Sequence, residues 1–464
     1  MYQYKGLEDT ICAISTATGK GGIGIIRISG GEAIAIADKI FLAKDKKLPS
    51  TYQTYSVHYG WIVDSKKEVV DEVLVTVMLG PKSYTTEDVI EISCHGGIVS
   101  LRAILSLITE SGARLADPGE FTKRAFLHGR IDLTQAEAVL DIINSKTNAF
   151  LQVSTNQLKG ELSSELANIR AQLINIYIEM EAVVNFPEDD IDSEGRIKLA
   201  KDVQRSQDKV DELLMSSEQG RILRDGMKLV LCGKPNVGKS SLLNVLLRTE
   251  RAIVSDIAGT TRDAIEESAQ INGVPFQVID TAGILNPRDL IEEEAIKRSQ
   301  MYMKSADLVL FMIDASRPLE DKDFEILKNI KDQNILVIVN KTDLGNSLDY
   351  KELSQHCDKD SIVEISAITK CGIEQLQEKI VHNVLHADSI DVHGALVNNL
   401  RHIQSLKECC ELLQHGQKSL VEGLSLEFAS EDIKVAVNCL DAITGRNVDV
   451  DLIDNIFSQF CIGK

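Results

Sequence analysis

One short stretch of sequence constrains the fold more than any other. The octapeptide Gly-Lys-Pro-Asn-Val-Gly-Lys-Ser occupies positions 233–240, between an apolar run and a leucine-rich run. It matches the pattern G-x-x-x-x-G-K-[ST] in the strand–loop–helix setting that the pattern requires. Gly233 and Gly238 permit a tight turn whose backbone N–H groups face phosphate, Lys239 can reach the β- and γ-phosphates, and Ser240 can hold Mg²⁺. The sequence therefore predicts a nucleotide-binding α/β domain.

Two further segments supply the groups that a nucleoside triphosphatase places around the γ-phosphate. Gly-Thr-Thr-Arg-Asp at 259–263 offers threonines for Mg²⁺ coordination and γ-phosphate sensing, with Thr261 preferred over Thr260. Asp-Thr-Ala-Gly follows a strand-like run, where Asp280 would act on Mg²⁺ through water and Gly283 would donate its N–H to the γ-phosphate. These segments predict hydrolysis of the bound nucleotide as well as binding.

The next two signals select the base. Asn340-Lys-Thr-Asp343 follows a buried apolar run, and Asp343 can accept from guanine N1–H and its exocyclic amine, which adenine cannot supply. Ser366-Ala367 follows another strand-like run and fits the remaining base contact. All five signals occur in order, so the sequence predicts GTP as the nucleotide.

Two positions point to an unusual way of activating hydrolysis. Ile284 stands where many GTPases carry the glutamine that orients the attacking water, so another group must do so. Asn236 lies inside the phosphate loop, where its side-chain carbonyl could help hold K⁺ and so supply the charge of an arginine finger. The residues alone leave this role open against simple shaping of the turn.

Composition limits the remaining possibilities. The 464 residues suit two to four domains, and a formal net charge of −20 argues against a large non-specific nucleic-acid surface. Nine cysteines, an odd number without C-x-x-C spacing, indicate a reducing compartment and most of them buried. No signal-peptide pattern or membrane-spanning apolar run is present, so we expect a soluble, cytoplasmic protein without membrane partners.

The secondary-structure signals of the sequence change along the chain. Residues 1–125 alternate β-rich runs with two helical stretches, which indicates an α+β domain. Residues 126–225 are helical, with an apolar stripe at Leu162, Leu166, Ile169, Leu173, Ile176 and Met180 and a second helix expected from Ile197 to Ser216. Residues 226–385 alternate strand and helix signals, and residues 386–464 are helical again. The predicted fold class is multidomain α/β and α, with a Ras-like P-loop GTPase domain inserted into a discontinuous helical domain.

A second glycine-rich pattern has a different reading. Gly19-Lys-Gly-Gly-Ile-Gly24 satisfies G-x-G-x-x-G, but a strand-like run rather than a helix follows it. The Rossmann interpretation therefore fails, and a flavin or nicotinamide would have to come with a partner.

The whole chain resembles the MnmE (TrmE) family of tRNA-modification GTPases. Besides the inserted nucleotide-binding domain, the resemblance rests on the segments 24–30, 87–91, His95-Gly-Gly97, Pro118-Gly-Glu-Phe-Thr122, 124–126, 132–137 and the terminal Phe460-Cys-Ile-Gly-Lys464. It implies a homodimer formed through the N-terminal domain, with GTPase domains that meet when GTP and K⁺ are bound. It also raises the cation role of Asn236 above the alternative.

The resemblance implies a full set of site residues. Lys239 and Glu292 would be catalytic, Glu292 as the water-orienting group, although Ala295 departs from the family's usual glycine and leaves Glu293 open as the alternative. Mg²⁺ would be held by Ser240 and Thr261, and K⁺ by Asn236, Ser255, Ile257 and Thr260. The predicted GTP contacts are Asn236, Val237, Gly238, Lys239, Ser240, Ser241, Ser255, Asp256, Ile257, Ala258, Gly259, Thr260, Thr261, Asp280, Thr281, Ala282, Gly283, Asn340, Lys341, Asp343, Ser366 and Ala367.

The resemblance further implies that the N-terminal domain binds methylene- or formyl-tetrahydrofolate. The matching positions are Arg27, Glu87, Arg130 and Lys464. Cationic side chains can grip the glutamate carboxylates of folate, and a carboxylate can accept from pterin N–H groups. Arg130 stands where some members carry lysine. Cys461 lies near Lys464, and a nucleophilic role is the less favoured reading because it needs a lowered pKa.

Two functions compete on these grounds. In the first, the protein acts with an FAD-binding MnmG (GidA) partner to add an aminomethyl-type group at C5 of wobble uridine 34 of certain tRNAs, with carbon from methylene-tetrahydrofolate and either glycine or ammonium as amine donor. In the second, it is a ribosome-assembly or RNA-binding switch of the Era or EngA type. Those switches carry an RNA-binding domain after the GTPase domain, whereas the last segment here is helical and the folate-like positions lie elsewhere. The first hypothesis is favoured.

Overall fold

The structure is a computed structural model that describes residues 8–17, 19, 21–185, 193–249, 266–280, 301–385 and 394–464. The chain divides into two compact units. The first comprises residues 1–140 and 438–464, and the second comprises residues 141–437. The predicted domain boundaries at residues 125, 225 and 385 stay a prediction.

The first unit is built on a sheet of seven strands. They are β1 (Ile11–Ile14), β2 (Ile23–Ser29), β3 (Phe41–Ala43), β4 (Ser56–Val63), β5 (Val69–Met78), β6 (Val89–His95) and β7 (Arg114–Leu115). The strand order is β3-β4-β5-β6-β2-β1-β7, and neighbouring strands are antiparallel except for β1 and β7, which run parallel. Because β2 begins at Ile23, the pattern Gly19–Gly24 leads into a strand, and the rejection of a Rossmann turn is confirmed.

Period-two alternation explains how this sheet forms its core. On β5 the side chains of Val73, Val75 and Val77 are buried, whereas Glu72 and Leu74, which alternate with them, are exposed. The buried face packs under two helices, α1 (Ala33–Ile40) and α2 (Ile98–Glu110), which contribute Ile36, Ile104 and others to one apolar cluster. These elements match the runs that the sequence predicts for the α+β domain.

The last residues of the chain belong to the first unit. Three further helices lie here: α3 (Glu120–Leu127), α4 (Leu133–Asn144) and α14 (Val450–Ser458). Phe457 and Phe460 pack with Leu133 in a separate apolar cluster. The C-terminal backbone is hydrogen-bonded to the start of α3, where the Phe121 N–H donates to the Lys464 carbonyl at 3.2 Å.

The helical part of the second unit contains the predicted stripe. Helix α6 (Glu161–Asn185) buries all six stripe residues, so that prediction is confirmed. The following helix, α7 (Ser193–Asp225), is longer at both ends than the expected 197–216, because its helical pattern continues directly to the strand at Met227. The other helices in this part are α5 (Asn148–Leu158), α12 (Leu400–Val421) and α13 (Leu426–Thr444), the last of which extends into the first unit.

The remainder of the second unit contains a sheet of six strands. They are β8 (Met227–Cys232), β9 (Glu266–Ile271), β10 (Val274–Asp280), β11 (Leu308–Asp314), β12 (Ile335–Asn340) and β13 (Ile362–Glu364). The strand order is β13-β12-β11-β8-β10-β9, and all neighbouring pairs are parallel except the edge pair β10 and β9, which is an antiparallel hairpin. Its helices are α8 (Lys239–Thr249), α9 (Asp321–Ile330), α10 (Tyr350–Leu353) and α11 (Ile373–Leu385).

Uniform burial distinguishes the central strands of this sheet from those of the first unit. Nearly every residue of β8, β11 and β12 is buried, because helical segments cover both faces of a parallel sheet. Two apolar clusters lie on opposite faces, one around Leu229 and Leu310 and the other around Val309 and Phe311. In the part of the chain that the structure describes, no helix is long and apolar enough to cross a membrane.

Candidate functional site

Polar residues end neighbouring strands at one edge of the second sheet, and Asp280 and Asn340 among them are predicted to bind nucleotide. Asp280, Asp314 and Asn340 are the last residues of β10, β11 and β12, and the 233–238 loop leaves the end of β8 between them. Since β8 has β10 on one side and β11 on the other, this edge is a topological switch point, where open α/β sheets bind ligands. The edge thus collects residues that are far apart in sequence.

The phosphate loop has the backbone geometry that its glycines predict. Gly233 and Gly238 have φ of +137° and +107°, values that L side chains rarely adopt. A Cβ at Gly233 would overlap the Met312 carbonyl, and one at Gly238 would overlap the Asn340 side chain. Asn236 also has a positive φ of +65°, which asparagine tolerates better than most residues. The loop is therefore closely fitted against β11 and β12.

Lys239 is folded onto this loop. Its side chain is buried, and Nζ donates to the carbonyl oxygens of Gly233 at 2.8 Å and Lys234 at 2.7 Å. Lys239 is also the first residue of α8, so its backbone N–H belongs to the positive end of the helix dipole. The ammonium and the helix start together form a site for phosphate.

Asn340, the last residue of β12, connects two loops. Its Nδ2 donates to the Val237 carbonyl at 2.8 Å, and its Oδ1 accepts from the Ala367 N–H at 3.0 Å. Asn340 is 2% exposed, so both hydrogen bonds are shielded from water and replace solvation that the amide has lost. The amide therefore fixes the phosphate loop relative to the Ser366-Ala367 loop.

Lys341 has a left-handed backbone with φ of +68°, and its ammonium lies 2.7 Å from Asp314 Oδ2. Burial of the Asp314 carboxyl alone would raise its pKa, but hydrogen bonds from Lys341 and Ser316 outweigh this effect and lower the pKa below its usual value. Asp314 thus stays ionised and orients the lysine of the Asn-Lys-x-Asp segment.

Asp343 is held by a neighbouring loop. The Ser366 hydroxyl donates to Asp343 Oδ1 at 2.6 Å, and Ser366 Oγ in turn accepts from the Thr369 N–H at 3.1 Å. Asp343 itself is exposed, so its other carboxylate oxygen is accessible to a base. The structure thereby brings Asp343 together with Ser366 and Ala367, as the sequence predicts.

Several predicted site residues lie outside the described residues. They are Ser255, Asp256, Ile257, Ala258, Gly259, Thr260, Thr261, Thr281, Ala282, Gly283, Glu292 and its alternative Glu293, together with Ile284. Their roles stay predictions. Ser240 and Ser241 lie in the first turn of α8 and are exposed, next to the loop.

In the first unit, two of the predicted folate residues approach one aromatic ring. The guanidinium carbons of Arg130 and Arg27 lie 4.8 Å and 5.5 Å from the centre of the Tyr84 ring. Arg27 also forms an ion pair with Glu91 at 2.7 Å and donates to the Gly463 carbonyl at 3.5 Å. Among the described residues, Arg130 has no carboxylate partner and is exposed, so its charge is available to a ligand.

Glu87, the third predicted folate residue, lies in a more buried network. Its Oε2 accepts from the Ser29 hydroxyl at 2.6 Å, and Arg124 Nη1 donates to its Oε1 at 3.0 Å. Arg124 is 1% exposed and also pairs with Asp9 at 2.6 Å. The carboxylate is thus fixed in position, and it retains acceptor capacity for a further N–H donor.

The Lys464 backbone carbonyl accepts from the Phe121 N–H. Gly463 has a positive φ of +91°, and a Cβ there would overlap the Ile14 carbonyl. Cys461 is exposed, and its carbonyl accepts from the Gly119 N–H at 3.3 Å. The terminal segment is therefore fixed close to Arg27.

Sequence reasoning gave no site role to Tyr84, Arg124 or Asp314, although Arg124 lies in the segment 124–126 on which the resemblance rests. Asp314 had a local signal, since it is a charged residue that ends an apolar strand in the same way as Asn340 does. No local pattern indicates the contacts of Arg124 and Tyr84, because their partners are distant in sequence.

The phosphate loop, its lysine and the Asp343–Ser366 pair at the carboxyl edge of the sheet define a P-loop protein of the guanine-nucleotide class. Two family models match the chain: "GTP-binding protein TrmE N-terminus" over residues 10–130 and "MnmE helical domain" over residues 133–461. The chain belongs to the MnmE family of tRNA modification GTPases, and it is a GTPase.

Relatives match along the whole chain. A protein of Alkaliphilus oremlandii (strain OhILAs) named tRNA modification GTPase MnmE is 44% identical over 99% of this chain and 100% of its own length. Proteins of the same name from Desulforamulus reducens and Clostridioides difficile (strain 630) match at 44% identity over 99% of this chain and 100% of their lengths. Among solved structures, an Era variant from Aquifex aeolicus bound to GDP and AlF₄⁻ is 29% identical over 40% of this chain and 66% of that chain, with a TM-score of 0.28. That score is too low to carry a structural argument.

Proposed function

We propose that this GTPase acts in modification of the wobble uridine 34 of certain tRNAs. With an FAD-binding partner of the MnmG (GidA) type, it would add an aminomethyl or carboxymethylaminomethyl group at C5, with the carbon from methylene-tetrahydrofolate. The single observation that carries the proposal is the match along 99% of the chain to proteins named tRNA modification GTPase MnmE. The same match favours this function over a ribosome-assembly switch, because it extends along the whole chain.

The decisive experiment is mass spectrometry of tRNA nucleosides from cells that lack this protein. We expect wobble uridines to be left without the C5 substituent and to regain it when the gene is restored. A catalytically impaired Lys239→Ala chain should fail to restore the substituent, provided that it accumulates to the same level. Intact modification in the deletion strain would refute the proposal.

The residues of the first unit suit a folate. An aromatic ring flanked by two guanidinium groups, with a fixed carboxylate nearby in sequence, offers partners for glutamate carboxylates and for pterin N–H donors. In this role Arg130 and Arg27 would bind the anionic tail, Glu87 would accept from the pterin, and Lys464 would add charge. The folate, when bound, supplies the one-carbon unit.

The phosphate loop suits both cations of the proposal. Ser240 lies at the first turn of α8 where a hydroxyl can hold Mg²⁺, and Asn236 is exposed in a left-handed conformation beside it. Mg²⁺ and K⁺ would supply positive charge at the phosphates, with Ser240 and Thr261 on the first and Asn236, Ser255, Ile257 and Thr260 on the second. Glu292 would orient the attacking water.

The cation proposal predicts a marked difference between salts. At equal ionic strength, kcat for GTP should be at least about tenfold higher in KCl than in NaCl, because a K⁺ bound at Asn236 replaces the charge of an arginine finger. Asn236→Ala should remove most of this difference and leave guanine nucleotide binding in place. Equal rates in the two salts for the wild-type chain would contradict the K⁺ role without affecting the assignment to tRNA modification.

The proposed assembly is a cytoplasmic homodimer that joins the FAD-binding partner. Dimerisation would bring the two GTPase domains together when GTP and K⁺ are bound. Light scattering of the chain with and without GTP, Mg²⁺ and KCl tests this assembly, and a monomer under all conditions would contradict it.

A further inference from the structure

Lys234, the second residue of the phosphate loop, forms a partly buried ion pair with two acids at the start of α9. Its Nζ lies 2.6 Å from Asp323 Oδ2 and 3.1 Å from Glu320 Oε2. The side chain of Asp323 is 3% exposed, whereas that of Glu320 is 62% exposed. Because water screens the contact with Glu320, Asp323 is the stronger partner of Lys234.

The two acids are themselves fixed at the start of α9. The Glu320 side chain accepts from the Asp323 N–H, and Asp323 Oδ2 accepts from the Glu320 N–H at 3.0 Å, which together form a capping box. Asp323 Oδ1 is buried and has no hydrogen-bond partner among the described residues. The carboxylate therefore depends on Lys234 for charge compensation.

Lys234 stays charged in this setting. Burial alone would lower the pKa of its ammonium, but hydrogen bonds and attraction from Asp323 and Glu320 outweigh this effect and raise the pKa. The ion pair thus joins the phosphate loop to the start of α9.

The position of Lys234 is transmitted to the groups that meet the nucleotide. Its carbonyl accepts from Lys239 Nζ at 2.7 Å, so a displacement of Lys234 moves one of the acceptors that hold the phosphate-binding ammonium. Pro235 follows, with its restricted φ, and Asn236 comes next in its left-handed conformation. The loop has little freedom with which to absorb a shift at its second residue.

We propose that Lys234 and Asp323 are positioning residues for GTP hydrolysis, which fix the phosphate loop on the start of α9 so that Lys239 and Asn236 are correctly placed. The pattern G-x-x-x-x-G-K-[ST] accepts any residue at this position, so the pattern does not predict the role. The inference rests only on the GTPase site. It stands even if the tRNA, folate or K⁺ proposals fail.

The test removes both charges while it keeps the helix cap. Lys234→Met alone would leave a buried carboxylate without compensation and could unfold the domain, so it is combined with Asp323→Asn. The asparagine amide oxygen, placed where Asp323 Oδ2 lies, can still accept from the Glu320 N–H. In the full-length chain, we expect the double variant to melt near the wild-type temperature. Its kcat/KM for GTP should fall about 10- to 100-fold, as small misplacements of catalytic groups do. The preference for guanosine over xanthosine triphosphate should not change, since Asp343 is not involved.

Two further variants separate positioning from stability. Lys234→Arg keeps the charge and should retain kcat/KM within about threefold. Asp323→Glu keeps both charges but displaces the carboxylate by one methylene, and should lower kcat/KM by at least about threefold in a folded protein. Lys198→Met with Glu179→Gln removes an exposed ion pair elsewhere in the second unit and should have no effect.

Wild-type kcat and KM in the folded double variant would overturn the proposal, because the ion pair would then serve only to stabilise α9. If the double variant does not fold, wild-type kinetics in Asp323→Glu would overturn it equally.

Discussion

At the scale of single residues, Ser366 orients the Asp343 carboxylate. The Ser366 hydroxyl donates to Asp343 Oδ1 at 2.6 Å, which leaves Oδ2 as the less engaged of the two acceptors. We expect the carboxylate, chiefly through Oδ2, to accept from guanine, whose N1–H and exocyclic amine both donate. Ser366 thus orients the carboxylate in addition to its place in the base-contact loop.

This arrangement predicts a change of base preference. In Asp343→Asn, Ser366 keeps the amide oxygen at the Oδ1 position, and Nδ2 then faces the base as a donor. Guanine binding should weaken roughly 100-fold, because charge-assisted hydrogen bonds worth about 3 kcal/mol are lost. Xanthine, with a carbonyl in place of the exocyclic amine, should bind more tightly than guanine. Fluorescent GDP and XDP analogues measure both affinities, and Ser366→Ala provides the comparison. An unchanged preference for guanine would show that Asp343 does not read the base.

Histidines of the first unit differ in their surroundings. His95 Nδ1 lies 2.6 Å from Asp71 Oδ1, and the hydrogen bond and charge of Asp71 raise the pKa of His95 above 6.5. His58 stacks on Tyr52, and burial lowers its pKa below 6.5 despite the attraction of Asp45. The two rings should therefore titrate on opposite sides of 6.5.

Nuclear magnetic resonance titration of the histidine ring signals tests this difference. A raised folded-state pKa means that His95 contributes stability below pH 6.5 and loses the contribution as the pH rises through its folded value. In Asp71→Asn the pKa of His95 should fall back toward 6.5, while that of His58 should stay below it. Signals of His95→Gln identify the resonance. A His95 pKa at or below that of His58 in the wild-type chain would contradict the ion pair.

At the scale of elements, helix α6 has one buried apolar stripe and a solvent-exposed opposite face. Leu173 is fully buried in the stripe, whereas Ile178 on the same helix is 58% exposed. Leu173→Ala should lower the free energy of unfolding by about 2–5 kcal/mol, the transfer and cavity cost of a buried leucine. Ile178→Ala should change it by no more than about 0.5 kcal/mol. Urea unfolding followed by circular dichroism measures both, and equal effects would mean that the stripe is not the packed face.

The elements that sequence periodicity describes best are those whose pattern repeats locally. The stripe of α6 and the alternation of β5 could be predicted because each turn or pair of residues carries the same signal. The phosphate loop and Asn-Lys-x-Asp were equally accessible, since their chemistry needs fixed residue types at fixed spacing. The length of α7 was underestimated because its mean polarity hides the helical pattern at both ends.

The remainder of each site depends on contacts between distant parts of the chain. Arg124 reaches Glu87 across 37 residues and Asp9 across 115, and no local pattern records either contact. The ion pair of Lys234 with Asp323 is likewise set by how α9 packs beside the loop. Such pairs follow from the fold and not from the motif, which is why they appear only in the structure.

At the scale of the whole molecule, the two candidate sites belong to different compact units. The nucleotide edge lies within residues 141–437, and Arg27, Glu87, Arg130 and Lys464 lie within the unit formed by residues 1–140 and 438–464. Each site is built from side chains of its own unit. Ligand affinity at one site should therefore survive substitutions that abolish it at the other.

Calorimetry on both ligands tests this independence. Arg130→Gln removes a guanidinium that has no carboxylate partner among the described residues, so the affinity for 5-formyl-tetrahydrofolate should fall at least about tenfold while the affinity for GDP stays unchanged. Arg102→Gln, an equal change of charge at an exposed position on α2, should alter neither affinity. Conversely, Asp343→Asn should weaken GDP and leave folate binding intact. Normal folate affinity in Arg130→Gln would remove that residue from the site, and a loss of GDP affinity in the same variant would contradict the independence of the two units.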